Sequence, residues 1–150
     1  MLLTLVAAAQ ATLVAEALDP AALAVLSDAT AFGDVVDVRT VWEGPAIWTV
    51  ATLDLVDLDG TADVWIPGGC VGGVCLTVAG APWVEPGERI FVFLRKEKPT
   101  SLAQGLFHVR GEVAVRDVHG LAFVDGERPR AAVALAELRA AVPRVGRQEE

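Results

Sequence analysis

Tyrosine and asparagine are absent from this 150-residue chain, and lysine, serine, cysteine and histidine occur twice each. Each shortage closes off a class of chemistry. Without asparagine there is no Asn-x-Ser/Thr acceptor for N-glycosylation. Ser27 and Ser101 both lie outside any Gly-x-Ser-x-Gly turn, so no hydrolase nucleophile elbow is present. Two cysteines cannot complete a tetrahedral zinc shell alone, and the spacing of His108 and His119 does nothing to bring both to them. No run approaches the roughly 20 continuous apolar residues of a membrane span once the first few residues are set aside. Basic residues number 12 against 20 acidic ones, a net charge of −8. A field of that sign repels phosphate backbones and anionic lipid, so neither nucleic acid nor membrane is expected as a partner.

What remains is 53% hydrophobic, much of it alanine and valine, in a chain of single-domain size that can bury a real core. "MLLTLVAAAQA" carries an apolar run from Leu2 to Ala9 and then Ala9-Gln10-Ala11, the pattern of a short secretory signal cleaved after Ala11. It lacks a basic leader, since the first Lys or Arg is Arg39, and "LVAAAQATLVAEAL" is equally a good helix former. The expected organisation is a signal peptide over 1–11, a β-domain over 12–127, and a C-terminal helix with a polar tail over 128–150. The expected location is secreted or periplasmic, or cytoplasmic if the first eleven residues stay in place.

Along the chain, Asp19 and Pro20 open a short helix that runs to about Ser27. From Asp34 the period becomes two, with Val36, Val38, Thr40 and Trp42 on one face. Residues 47–59 read as one long strand, apolar on both faces, which implies two-sided burial or a bulge. "ADVWIP", "VCLTVAG" and "ERIFVFLRK" follow as strands between Gly, Pro and Asp turns, and "GLFHVRGEVAVRD" with "LAFVDG" reads as a last hairpin turning at Val118-His119-Gly120. His108, alternating with Phe107 and Val109, is expected to face outward. "RAAVALAELRAAV" (130–142) has the stripe of an amphipathic helix. The predicted fold is mainly β: a small closed or partly open antiparallel barrel with an N-terminal and a C-terminal helix.

Cys70 and Cys75 flank Val71-Gly72-Gly73-Val74. A type I′ turn on the glycine pair makes Val71 and Val74 a hydrogen-bonded pair and sets Cys70 opposite Cys75 at a non-hydrogen-bonded site, where the Cα atoms approach to about 4.5 Å. A disulfide fits that spacing. A pair of reduced apolar thiols is the remaining alternative, and the C-x-x-C redox signature is absent. No metal and no cofactor is expected. "Asp57-Leu58-Asp59-Gly60" hints at a calcium loop, but Leu55 and Ile66 then occupy positions that require carboxylates. Of the four tryptophans, Trp42, Trp48 and Trp65 read as core or rim. Trp83, in the inter-strand connection "GAPWVEPGE", is the candidate binding anchor.

The segments "DATAFGDVVDVRTVW", "IWTVATLDLVDLDG", "IPGGCVGGVCLTVAGAPWVEPGERIFVFL" and "QGLFHVRGE" together resemble a module of secreted bacterial proteins. That module is similar in layout to the OB-like barrel of the netrin-related and tissue-metalloproteinase-inhibitor domains. The resemblance implies fold and compartment. It does not carry the inhibitors' mechanism, because this chain has no cysteine before Cys70 to chelate a protease zinc. The expected function is a non-catalytic protein-interaction module, monomeric or weakly associating, binding an unknown protein partner through Trp83 and the hairpin tip Val71, Gly72, Gly73 and Val74. The alternative is an extracellular protease inhibitor that inserts the same tip as a rigid loop. An enzyme built on His108 and nearby carboxylates ranks third.

Overall fold

A computed structural model describes residues 14 to 142; the expected signal peptide and polar tail lie outside the described residues. In chain order the elements are β1 (Val14–Ala15), α1 (Pro20–Leu26), β2 (Ala29–Glu43), β3 (Ala46–Leu55), β4 (Thr61–Pro67), β5 (Gly69–Val71), β6 (Val74–Leu76) and β7 (Arg89–Arg95). They continue with β8 (Lys98–Pro99), a 3-10 turn over Leu102–Gly105, β9 (Leu106–Arg110), β10 (Val113–Val115), β11 (Ala122–Phe123), β12 (Ala132–Ala134) and α2 (Leu135–Ala140). Among the described residues no helix is long and apolar enough to cross a membrane.

The protein is mainly β. Eight strands form one antiparallel sheet in the order β12–β10–β9–β7–β2–β3–β4, with β8 paired to β7. The sheet curls until Trp65 N of β4 donates to Glu97 O in the β7–β8 turn (2.9 Å), but it is not closed.

β7 is the strand around which the core divides. Its five middle residues are buried, and its side chains alternate between two apolar clusters. Ile90, Val92 and Leu94 join Val35, Leu53, Val64 and Leu106 on one face. Phe91 and Phe93 point to the other face, where Leu23, Phe107 and Leu138 meet them. Both helices lie over that second cluster. α1 begins where Asp19 Oδ1 accepts from Ala22 N (2.9 Å), and it ends at Ser27, whose hydroxyl bonds Leu23 O and Thr100 Oγ1 (both 2.6 Å). α2 buries Leu135 and Leu138 there, so the C-terminal helix docks on its own sheet.

Four details depart from the sequence reading. β2 starts at Ala29 and contains a bulge, because Val35 pairs with Leu53 and Asp37 with Thr52. The extra residue, Val36, is therefore 57% exposed, while Val35 before it and Val38 after it share the core face. β3 ends at Leu55, and Leu58 lies in the following turn, 70% exposed. The last hairpin is β9–β10, turning at Gly111-Glu112; β11 instead pairs in parallel with β1. Finally, Ala132–Ala134 is an edge strand on β10, and only Leu135–Ala140 is helical. Alanine-rich segments of this length satisfy either period, and the free edge of β10 offers ladder bonds that one more helical turn would not replace.

Phe93, fully buried between Phe91 and Phe107, is the sharpest test of the divided core. Phe93→Ala is expected to lower unfolding free energy by about 3–5 kcal/mol, measured by urea denaturation. On the surface, Arg89 Nε and Nη2 donate to the two oxygens of Asp34 (2.8 and 3.0 Å), and these bonds hold that carboxyl below its ordinary value. A lowered folded-state value means the stabilisation is present above the ordinary Asp range and disappears as pH falls through the lowered one. Because both side chains are exposed, Asp34→Asn should cost under about 1 kcal/mol at neutral pH. The gap from wild type should close toward acid pH.

Candidate functional site

The β5–β6 hairpin is built by its turn. Gly72 and Gly73 take φ of +57° and +83°, the left-handed pair that a two-residue turn requires. Val71 then opposes Val74 and Cys70 opposes Cys75, with Cα atoms 4.1 Å apart and a disulfide between the sulfurs. The hairpin is seated on the large sheet by two threonines: Thr40 Oγ1 donates to Cys70 O, and Thr49 Oγ1 to Gly68 O (both 2.7 Å). Gly69 permits that approach. At φ +136°, a Cβ there would sit 2.7 Å from Thr49 Oγ1.

Opposite the hairpin runs the connection 77–84, pinned because Val84 and Ala81 pack on the first core cluster. Trp83, between them in sequence, is thrown outward and is 58% exposed. Between hairpin and connection lies an open groove of about 360 Å³, lined by Pro67, Cys70, Cys75, Leu76, Val78 and Trp83 among others. Cys70, Cys75 and Trp83 are thus brought to one site. Val71, Gly72, Gly73 and Val74 form a tip that is not part of the groove lining. Val74 and Leu76 are exposed apolar residues of the same hairpin.

On the far side of Trp83 is a smaller cavity of about 80 Å³, lined by Pro82, Trp83, Leu106, His108 and Asp117 among others. His108 does not face outward as its alternation suggested. It pairs with Ile90 across β7–β9 and shares the core face with Leu106, while Phe107 and Val109 belong to the helix-covered cluster. Its Nδ1 lies 2.5 Å from Glu88 Oε2, and its ring centroid is 5.4 Å from that of Trp83. Glu88 is itself fixed, because its Oε1 accepts from Glu85 N (2.7 Å). In the neutral ring with Nδ1–H donated to the carboxylate, Nε2 is an acceptor; in the imidazolium both nitrogens donate. Sequence reading passed over Glu88. The signal was the spacing Glu85-Pro-Gly-Glu88, a tight turn that returns the second carboxylate to the first residue's amide.

The remaining candidates are occupied elsewhere. Asp57 pairs with Arg139, and Asp63 accepts from both Thr52 Oγ1 (2.6 Å) and Arg39 Nη2 (3.3 Å). Among the described residues no group of three or more His, Cys, Asp or Glu is placed to hold a metal ion. His119 stays in its turn, where its backbone N–H donates to Asp117 Oδ1 (3.0 Å). Trp48 and Trp65 pack edge to face at 6.3 Å, with Lys98 Nζ 4.9 Å from the Trp48 ring centroid.

Because the disulfide closes so short a loop and the threonines already seat the hairpin, Cys70→Ala/Cys75→Ala should cost only about 2 kcal/mol in denaturant titration, with far-ultraviolet circular dichroism unchanged. Comparison with protein-family models, with curated proteins and with solved structures finds no match to this chain.

Proposed function

We propose that this protein is an exported, non-catalytic binding module that holds a protein segment in the groove between the disulfide hairpin and Trp83. The single observation that carries the reading is the pairing of a rigid, disulfide-tied wall with an outward-turned indole across about 360 Å³ of largely apolar groove. Exposed tryptophans beside fixed apolar surface are the residues that most often dominate binding energy. The disulfide supports export, since such bonds persist in oxidising compartments. The curled sheet, with β4 reaching back to the β7–β8 turn, supports a partly open OB-like barrel similar in layout to the netrin-related domains. The His108–Glu88 pair would suit a general base. Both cysteines are tied in the disulfide, so neither is a thiol nucleophile beside it.

The protruding tip favours a second reading, insertion of Val71–Val74 into the cleft of an extracellular protease. The two readings separate on one experiment, selection of a random extended-peptide library against the full chain. Under the groove reading, Trp83→Ala weakens the selected peptides by at least about tenfold, and Val74→Ser leaves them nearly unaffected. Peptides that bind Trp83→Ala as well as wild type would sink the groove.

A further inference from the structure

We infer that the small cavity behind Trp83 receives one basic side chain, arginine or lysine, from the bound partner. The inference rests on the groove reading above and gives the partner its chemistry. The cavity adjoins the groove, because Ala81, Pro82 and Trp83 line both. A segment lying in the groove therefore has a side-chain-sized opening beside it. At about 80 Å³ the opening is far smaller than the groove and suits a single ammonium or guanidinium head.

Besides the Trp83 indole, its lining side chains with polar groups are His108 and Asp117. Asp117, an exposed residue, contributes a carboxylate whose Oδ1 takes the His119 amide. His108 contributes Nε2, an acceptor in the neutral ring, while its Nδ1 side faces Glu88, a second negative charge beyond the ring. Trp83, whose side chain is the strongest aromatic partner for a cation, lines the cavity beside the His108 ring. Among the described residues no lysine or arginine lines the cavity, and the whole chain carries a charge of −8. These carboxylates repel an anion, whereas a donor-only cation can bond Asp117 directly.

Asp117→Asn tests this cleanly, because the amide oxygen can still accept from His119 N while the charge is removed. In the peptide selection described above, the bound sequences should share one arginine or lysine. Changing that residue to alanine should weaken binding roughly tenfold. Asp117→Asn should cost a similar factor, with little further loss when both changes are combined. N-acetyl-arginine methylamide titrated alone should shift the Trp83 indole N–H and His108 ring resonances, and N-acetyl-leucine methylamide should not. Peptides that depend on Trp83 yet bind Asp117→Asn unchanged would overturn the basic anchor and leave the groove standing. Peptides indifferent to Trp83→Ala, or no enriched peptide at all, would overturn both.

Discussion

The carboxamide of Gln104, fully buried, joins parts of the chain that are far apart in sequence. Its Oε1 accepts from Leu18 N (2.8 Å), and its Nε2 donates to Glu16 O (2.9 Å) and Ser101 Oγ (3.0 Å). Its own backbone carbonyl takes a bond from Arg116 Nη1 (2.9 Å), whose Nε in turn donates to Arg130 O (2.9 Å). The segment before α1, the 3-10 turn, β10 and the lead into β12 thus meet in one polar network. Arg116 is only 1% exposed and sits over the Phe107 ring at 4.9 Å. Burial, with the Arg130 charge nearby, pushes its guanidinium down to about 10. A buried cation held by carbonyls and a ring face is costly, and its Nη2 has no partner among the described residues. The cost is tolerated because removing either residue would strand several backbone groups at once.

That network governs where the two apolar clusters can sit. By fixing the residues before α1 and the entry to β12, it delivers Leu23, Val133 and Leu138 to the face of β7 that carries Phe91 and Phe93. The opposite face is left for Val35, Val64 and Val92, and it is at the margin of this face that Val84 anchors the Trp83 loop. The candidate site is a by-product of that division. His108 reaches the cavity because β9 pairs with β7 in a register that turns Phe107 toward the helices.

The parts legible in the sequence are those whose cause is local. Asp19 and Pro20 announce α1, and the Gly72-Gly73 pair sets the hairpin register and with it the Cys70–Cys75 bridge. Trp83 was legible as a loop aromatic. The parts misread depend on partners distant in the chain. Nothing near Ala132 says that β10 will offer an edge, nothing near Leu121 says that β1 will pair with β11, and the orientation of His108 is fixed across the sheet by Ile90. The bulge at Val36 was hidden for a related reason: two adjacent valines fit either parity, and only the partner strand shows which one is extra. Gln104 in "SLAQGLF" and Arg116 in "VAVRDV" are polar residues among apolar ones, and nothing local says that their side chains turn inward.

The pairing of β1 with β11 has a consequence for how the molecule is made. Residues 14 and 15 find their strand partners only at 122 and 123, and Leu18 finds its acceptor 86 positions downstream. A chain emerging from the ribosome therefore carries residues 14 and 15 without their strand partners until residue 123 has been synthesised. Closure is paid for late and across long loops, the regime in which assembly is slow and the order of events is set by the far end of the chain.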